Sequence, residues 1–366
     1  MIMQKSYLEV NLKNFEENLE KIQKYVGNNT IVAPVIKANA YGIGTEKLKD
    51  IFERKNINIV VVATLEEGIK LRNIGYKMQI LLLNELLKDE AKKAIQYDLT
   101  VGVSDINVLK TLNNEAKKQS KIAKVHIEID TGMGRVGINP ENAITFLKKA
   151  KELHNVEIEG IYTHFAVADT DKEYTKTQID IFNKTITDLE NNNLKFKYIH
   201  ASSSSGILNF RKAKFNMVRP GIILYGYMPN EEMKNILEIK PVTKLVSHVV
   251  FVKEIEKGTS ISYGRTYIAE GKRKIATIPL GYADGIKRIL SNKGRVYING
   301  KYAKIVGRIC MDNFMVDVTD IDVKIGDTVY IWDNENISIE EIANLCDTIN
   351  YEILCTISNR VKRVYI

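Results

Sequence analysis

The feature that most constrains the fold is a series of eight short apolar runs, separated by stretches with helical periodicity. Short buried runs that alternate with amphipathic helices are typical of parallel β/α units. The series spans about 220 residues, close to the roughly 250 of a (β/α)8 barrel. The runs are 31–36, 59–63, 80–83, 99–103, 125–129, 156–162, 198–200 and 216–218, and the clearest helical stretches are 65–73, 85–96 and 105–119.

The pattern changes after about Gly226. Segments 244–252, 274–279, 294–298 and 328–332 are rich in β-branched residues and are separated by glycines, which indicates a second, mainly β domain. One helix is predicted within it at 338–346, where Ser338 and Glu341 form a capping box. We therefore predict an α/β plus β protein. Residues 1–230 form a TIM-type barrel that carries the chemistry, and residues 231–366 form a mainly β domain.

Composition excludes several functional classes. The chain has 366 residues and a formal net charge of +8, but its lysines are interspersed with acidic residues on predicted helices, as on solvated helix faces. No nucleic-acid-binding motif is visible. The three cysteines lack the paired spacing of a disulfide framework or a zinc site, so we expect no metal. No apolar run reaches the roughly 20 residues of a membrane helix, and no signal peptide is apparent, so a cytoplasmic protein is expected.

Lys37 is the first candidate for chemistry. It lies in the segment APVIKANAYGIG (33–44), directly after the first apolar run. A lysine at a buried strand end can extend its amine to solvent, or desolvation can activate that amine for covalent chemistry. In a barrel this position is the carboxyl end of the first strand, where active sites are built.

Polar residues also follow the later runs, at the same end of the predicted barrel. A core histidine or a surface arginine would explain each one singly, but several on one rim favour a site. Serines after the seventh run, with the amides of Gly221 and Ile222 after the eighth, suit a phosphate. The arrangement predicts a phosphorylated cofactor bound covalently by Lys37. The polar residues that follow the later runs are Arg135 in DTGMGRVG (130–137), His164, His200, the serines 202–205 and Arg219.

Taken together, the motifs of the chain resemble those of one family. APVIKANAYGIG is similar to the cofactor-lysine motif of the alanine racemases, a family of fold-type III enzymes that depend on pyridoxal phosphate. DTGMGRVG, RPGI-x-LYG from Arg219, SYGRT from Ser262, GYADG from Gly281, GRICMD from Gly307 and TINYEILCTISNRVKRVY near the C-terminus match in the same order. The resemblance implies a barrel followed by a mainly β domain, in a head-to-tail homodimer whose β domain completes the partner subunit's active site.

The resemblance also implies roles for single residues. Lys37 binds the cofactor and is one catalytic base, and Tyr263 of the partner subunit is the other. His164 hydrogen-bonds that tyrosine and contacts Arg219, which faces the pyridine nitrogen. Arg135 and the amide of Met311 bind the substrate carboxylate. The remaining matched residues are the phosphate contacts Tyr41, Ser204, Gly221, Ile222 and Tyr351, and the surrounding Tyr282 and Asp312.

Three positions depart from common family patterns. Ile43 replaces a frequent histidine, Ser203 replaces an asparagine, and Glu128 replaces a lysine that is carbamylated in many members. Strand alternation from His126 predicts that Glu128 points into the barrel. We expect its carboxylate to replace the carbamate and hold Arg135 directly.

The function implied is interconversion of L- and D-alanine by two opposed bases, supplying D-alanine for peptidoglycan. A serine or broad-specificity racemase of the same fold is the nearest alternative, although Tyr351 favours alanine. A decarboxylase of related fold is disfavoured by SYGRT and GRICMD. A non-catalytic pyridoxal-phosphate carrier is disfavoured by the residues beyond about 230. Expected partners are an amino-acid substrate and a second copy of the chain, with neither nucleic acid nor membrane.

Overall fold

The computed structural model describes residues 5–366. These form two compact units, each with its own sheet. The first unit, called the barrel unit, comprises Glu16–Ala40 and Thr45–Lys240. The second, called the β unit, comprises the chain through Phe15 together with Tyr41–Gly44 and Pro241–Ile366.

The barrel unit contains eight parallel strands in the order β2-β9-β8-β7-β6-β5-β4-β3. The parallel bridge between Val35 and Val61 joins the chain just beyond β2 to β3, so the sheet is nearly closed. All eight predicted runs coincide with strands, which confirms the barrel. The strands are β2 (Ile31–Val32), β3 (Ile59–Val62), β4 (Gln79–Leu82), β5 (Thr100–Val103), β6 (Ala123–Glu128), β7 (Val156–Tyr162), β8 (Tyr198–His200) and β9 (Met217–Val218).

Helices alternate with these strands, as the sequence pattern predicts. Thr64 begins α4 with a capping box that involves Glu67, and Asp105 and Asp171 cap α6 and α8. Within the described chain, no helix is both long enough and apolar enough to cross a membrane. The helices between residues 12 and 209 are α1 (Leu12–Val26), α2 (Lys37–Tyr41, a single turn), α3 (Leu48–Arg54), α4 (Leu65–Asn73), α5 (Ala91–Gln96), α6 (Ile106–Lys118), α7 (Ala143–Ala150), α8 (Lys172–Asn191) and α9 (Ser204–Asn209).

Most side chains of the barrel strands are buried and apolar, but polar side chains are buried among them. Val60, Val125 and Ile161 have essentially no exposed surface, and neither do His126 and His200. Buried polar groups of this kind require hydrogen-bond partners, so the strands commit part of the interior to polar contacts.

The β unit is built on a nine-stranded sheet in the order β11-β14-β17-β16-β15-β18-β10-β1-β19, and a separate two-stranded ribbon joins β12 to β13. The predicted β segments all lie in strands, although the predicted segment 244–252 spans parts of two. The strands are β10 (Thr243–His248), β11 (Phe251–Ile255), β12 (Ser260–Ile261), β13 (Tyr267–Ile268), β14 (Arg273–Ile278), β15 (Arg295–Ile298), β16 (Lys301–Ile305), β17 (Phe314–Asp317), β18 (Thr328–Trp332) and β19 (Lys362–Tyr365).

The segment Pro241–Ile366 contains two α-helices where the sequence pattern predicted one. The predicted helix is α10 (Ile339–Leu345), and the Ser338 hydroxyl accepts a hydrogen bond from the Glu341 amide at 3.1 Å. The second helix is α11 (Asn350–Cys355). It has only six residues, too short for an amphipathic period to be recognised.

The structure adds a strand that the sequence pattern did not identify. The strand β1 (Ser6–Val10) lies between β10, which is antiparallel to it, and β19, which is parallel. Its partners are more than 200 residues away in sequence, so pairing of this kind has no local signal.

Gly281 is a site where a side chain cannot be accommodated. A Cβ there would contact the main chain of Cys310 and Met311, whereas at Gly271 it would meet no atom within 4 Å. We expect Gly281→Ala to lower the free energy of unfolding by about 1–3 kcal/mol, the scale of overpacking. Thermal denaturation would measure the loss, with Gly271→Ala as the matched control. Equal melting temperatures for the two variants would contradict this close approach.

Candidate active site

The polar residues predicted to share one rim follow the carboxyl ends of their strands in the barrel unit. Lys37 follows β2, His164 follows β7, Ser204 follows β8 and Arg219 follows β9, while Arg135 lies in the loop after β6. Because the strands are all parallel, these ends lie on the same face of the barrel.

Lys37 begins a turn with unusual backbone geometry. Ala38, Asn39 and Ala40 have φ angles of 52°, 54° and 54°, which is a left-handed turn without glycine. Such a conformation costs about 1–2 kcal/mol per residue. The start of α4 helps to hold it, since the Ala38 amide donates to Glu67 Oε1 at 2.5 Å. The strain is located next to the candidate lysine, as is common at functional sites.

The guanidinium of Arg219 is buried among four polar partners. It is 2% exposed and donates to the carbonyls of Thr163 and Ala201 at 3.0 and 2.9 Å. Its other contacts are His164 Nδ1 at 3.2 Å and His200 Nδ1 at 2.5 Å. The predicted contact between His164 and Arg219 is therefore present. These contacts fix the plane of the guanidinium.

The charge states of this cluster follow from burial. Burial, together with the nearby charges of Arg219, Arg135 and Lys37, lowers the pKa of His164 to about 3. Burial also lowers the pKa of Arg219, to about 10. At neutral pH the arginine is charged and His164 is neutral. Since His164 Nδ1 accepts from Arg219, the imidazole proton of His164 is on Nε2.

Ser204 lies at the centre of a second cluster of buried groups. Its hydroxyl accepts from the amide of Gly221 at 3.0 Å and from that of Ile223 at 3.5 Å. The intervening Ile222 begins a 3-10 turn, and the first N–H groups of a helical turn have no partner within it. A serine hydroxyl and outward-directed amides are suitable donors for a phosphate.

Arg135 lies in a loop that is held by its own first residue. Asp130 Oδ1 accepts from the amides of Gly132 and Gly134 at 3.0 and 3.1 Å. The φ of Gly137 is 118°, and a Cβ there would press on the backbone of Asp130. The loop backbone is thus fixed, while the Arg135 side chain is exposed.

Glu128 points inward as predicted, but its predicted ion pair with Arg135 is wrong. Among the described residues 5–366, the carboxylate of Glu128 does not come within 4 Å of the Arg135 guanidinium. Glu128 Oε2 instead accepts from the hydroxyl of Tyr162 at 2.7 Å. The physical reason is strand register, because Glu128 of β6 pairs directly with Tyr162 of β7. The adjacent tyrosine satisfies the buried carboxylate, and the exposed loop arginine does not reach it.

Two motifs of the β unit pack against each other through their backbones. The amide of Tyr282 donates to the carbonyl of Cys310, and that of Ala283 donates to Met311, both at 3.0 Å. Arg360 donates to Asp312 Oδ1 at 2.7 Å. The GYADG and GRICMD segments, far apart in sequence, therefore form one surface that includes Met311 and Asp312.

The other β-unit candidates are also located. Tyr263 is 69% exposed and follows Ser262, whose φ is 65°. The Ser262 hydroxyl donates to the Arg308 carbonyl at 2.6 Å, which anchors the turn. The rings of Tyr41 and Tyr351, both predicted to contact a phosphate, have centroids 6.1 Å apart.

Sequence reasoning identified His200 but missed its polar neighbours Tyr162, His126 and Glu159. Tyr162 stacks on His200 with ring centroids 4.9 Å apart, and His200 Nε2 lies 2.8 Å from His126 Nδ1. Glu159 lies beyond His126. The only signal was an unusual number of ionisable residues on the inward positions of predicted strands, and it does not tell which of them meet.

Comparison with known proteins gives the family. A model of the N-terminal domain of alanine racemase matches residues 10–229, and a model of the C-terminal domain matches residues 242–365. The chain belongs to the alanine racemase family. An alanine racemase of Halothermothrix orenii is 42% identical over 369 residues, which cover 100% of this chain and 97% of that protein. The chain is an enzyme of this family, and the resemblance of its motifs is confirmed.

Solved alanine racemase structures have the same fold. That of Clostridium difficile 630 matches with a TM-score of 0.96 and 38% identity, covering 100% of this chain and 97% of that one. A Bartonella henselae alanine racemase, described with covalently bound pyridoxal phosphate, matches with a TM-score of 0.90 and 29% identity, covering 100% of both chains. The barrel and the mainly β domain are thus the alanine racemase fold.

The pair formed by Glu128 and Tyr162 gives a pH-dependent prediction. Burial raises the pKa of Glu128, while the Tyr162 hydrogen bond and the nearby Arg219 act in the opposite direction. A raised pKa means that ionised Glu128 costs folding free energy as the pH rises above its unfolded value. The Tyr162 hydroxyl offsets part of that cost. We therefore expect Tyr162→Phe to lower the free energy of unfolding by about 1.5–3 kcal/mol at neutral pH.

The loss should shrink below about pH 4, where the carboxyl is protonated in both folded and unfolded chains. Urea unfolding of wild type and variant at the two pH values would measure it. In a Glu128→Gln background, the effect of Tyr162→Phe should no longer depend on pH. If Tyr162→Phe lowered the free energy of unfolding equally at both pH values in the protein that retains Glu128, the hydrogen bond between Tyr162 and Glu128 would be refuted.

Proposed function

We propose that the enzyme interconverts L- and D-alanine with pyridoxal phosphate, which Lys37 binds covalently, and with Lys37 and Tyr263 as opposed bases. One observation carries this proposal: the buried, charged Arg219 lies beside the Ser204 cluster. The two groups follow the adjacent strands β9 and β8 at the same rim of the barrel. One group can face the ring nitrogen of the cofactor while the other binds its phosphate.

The donor set of the barrel unit fits the cofactor. The Ser204 hydroxyl and the Ile222 amide would donate to a phosphate dianion, and the Gly221 amide orients the serine by donating to its oxygen. Arg219 has only donors and stays charged, so it suits an unprotonated ring nitrogen, which is an acceptor. When bound, the cofactor supplies an electron sink for the negative charge that develops at the substrate Cα. In the family, Tyr41 and Tyr351 add contacts to the phosphate.

Two bases on opposite faces of the substrate account for racemisation. A proton must leave one face of Cα and return on the other. Lys37 Nζ takes it from D-alanine and the Tyr263 oxygen takes it from L-alanine, the second base coming from the partner subunit. A free tyrosine has a pKa of about 10, so its oxygen needs a donor to act as a base. His164, neutral and with its proton on Nε2, can donate to that oxygen while its Nδ1 accepts from Arg219.

The charge of Arg219 also favours racemisation over side reactions. A fixed positive guanidinium disfavours protonation of the ring nitrogen beside it. By keeping that nitrogen unprotonated, Arg219 would weaken the electron sink that the bound cofactor supplies, so negative charge at the substrate Cα would not persist. Misplaced protonation, which would lead to transamination, is thereby restricted.

Substrate choice rests on residues of both units. Arg135 and the Met311 amide bind the carboxylate, with Asp312 beside them. Tyr263, Tyr282 and Tyr351 narrow the entrance, which favours a methyl side chain over larger ones. We further propose a cytoplasmic homodimer that supplies D-alanine for peptidoglycan.

Replacement of Lys37 tests the covalent link. We expect the purified enzyme to be yellow and Lys37→Ala to lose that absorbance and the activity, with exposed Lys47→Ala as the matched control. Borohydride reduction and peptide mapping should label Lys37, and a label on another lysine would exclude the assignment. Chiral chromatography with alanine and serine provides the activity measurement, and faster turnover of serine would favour the broader racemase.

Subunit mixing tests the shared site. Lys37→Ala and Tyr263→Ala should each be inactive, but a mixed dimer carries one site with both bases. At equal mixing, about a quarter of wild-type activity should return, because half of the dimers are mixed and each has one intact site of two. The control pairs Lys37→Ala with the double variant, which cannot form a complete site. An absence of recovery after demonstrated subunit exchange would contradict the proposal.

A further inference from the structure

A line of polar side chains runs from Arg219 into the barrel interior, and the proposed function leaves it unused. His200 Nε2 lies 2.8 Å from His126 Nδ1, and His126 Nε2 lies 3.5 Å from Glu159 Oε1. His126, His200 and Glu159 are 0%, 0% and 4% exposed. Within the described residues, His126 Nε2 is buried and has no other hydrogen-bond partner, and the approach to Glu159 is at the long limit of hydrogen-bond distance. The line therefore ends at a buried carboxylate.

The chemistry of each group fixes where the protons are. A guanidinium only donates, so His200 Nδ1 accepts from Arg219 and the proton of a neutral His200 is on Nε2. That proton is donated to His126 Nδ1, which leaves the His126 proton on Nε2. There it faces Glu159, whose ionised carboxylate only accepts. Every donor in the line thus points away from Arg219 and towards Glu159.

The charges agree with this direction. Burial lowers the pKa of both His126 and His200, so both imidazoles are neutral at physiological pH. Burial acts to raise the pKa of Glu159, but His126 and a hydrogen bond from Gln79 bring it below its usual value. The line consists of a cation, two neutral rings and an anion.

Arg219 has no direct carboxylate partner to balance its charge. Among the described ion pairs none involves Arg219, and Glu128 reaches it only through Tyr162, whose ring centroid is 5.5 Å from the guanidinium carbon. A buried charge without compensation is costly. Two imidazoles polarised towards Glu159 present an electron-rich Nδ1 to the guanidinium, and polarisation along such chains strengthens each bond.

We propose that Glu159 is a positioning residue for catalysis, because it fixes the tautomers of His126 and His200 and so keeps His200 Nδ1 an acceptor for Arg219. The inference rests on the proposed function, in which Arg219 faces the cofactor nitrogen. The line holds the guanidinium in the plane from which it also contacts His164. Glu159 therefore acts at the bottom of the barrel on a group at its rim.

Loss of the Glu159 charge would permit the hydrogen bonds between the two histidines to run in the opposite direction, with the donors pointing towards Arg219. A glutamine at 159 can donate to His126 Nε2 as well as accept from it, so the His126 proton can move to Nδ1. His200 would then carry its own proton on Nδ1, opposite an Arg219 N–H. Two donors would face each other, and the guanidinium would have to move.

Nitrogen NMR of the cofactor-loaded enzyme tests the direction of the line. The chain has five histidines, so ¹⁵N-histidine labelling with single His→Gln variants assigns every ring. In the wild type, we expect His126 and His200 to be neutral with the proton on Nε2. In Glu159→Gln, the signals of His200 should shift towards the Nδ1-protonated form. Glu157→Gln removes the same charge from an exposed position of β7 and should change neither ring.

Kinetics separates positioning from stability. Glu159→Gln should lower kcat for alanine by roughly tenfold, the effect of losing one charge-assisted hydrogen bond. KM and cofactor content should be unchanged, because Arg135 and the phosphate contacts are intact. Unchanged tautomers or an unchanged kcat in a folded Glu159→Gln enzyme would overturn the inference.

The NMR spectrum of the wild-type enzyme tests the predicted tautomers of His126 and His200 even if Glu159→Gln does not fold. A wild-type His200 that carries a proton on Nδ1, or on both nitrogens, would overturn the inference without touching the proposed function. Conversely, an enzyme without Lys37-bound cofactor or alanine turnover would contradict the proposed function, whatever the tautomers are.

Discussion

The buried charge of Arg219 is the constraint on which the polar interior of the barrel depends. A guanidinium with 2% exposure needs partners for its donors, because an unsatisfied buried charge costs several kcal/mol. Two carbonyls and two imidazole nitrogens contact its two terminal nitrogens. Each imidazole is thereby fixed in tautomer, and each fixed tautomer constrains the next group. The tautomers of His164 and His200 follow from this one charge.

The parallel strands of the barrel lower the entropic cost of ordering such a cluster, because they fix the backbone of its residues. Backbone hydrogen bonds between neighbouring strands hold His126, Glu159 and His200 in place, so the polar line costs little further ordering. Backbone strain lies in a different place, the left-handed turn after Lys37, where α4 stabilises it. The rim thus combines a rigid charged cluster with a strained attachment point, each supported by a different element.

The sequence predicted the strands well because each apolar run is a local signal. The helix at Leu65–Asn73 and the strand at Thr328–Trp332 begin and end at the predicted residues. The family motifs identified candidate site residues, and those of the barrel unit follow the carboxyl ends of its strands. The pairing of Glu128 was predicted wrongly for a physical reason. Alternation gives the face on which a side chain lies, but strand register decides which neighbour it meets.

The sequence by itself determined the order of barrel strands and helices, the mainly β second half and the residues available for chemistry. These depend on periodicity and on motifs, which are properties of neighbouring residues. Only the tertiary structure decided that β1 joins β10 and β19, that Tyr162 satisfies Glu128, and that His126 connects His200 to Glu159. These contacts join residues 33 to more than 300 positions apart. Their geometry depends on sheet register and burial, and no local pattern encodes it.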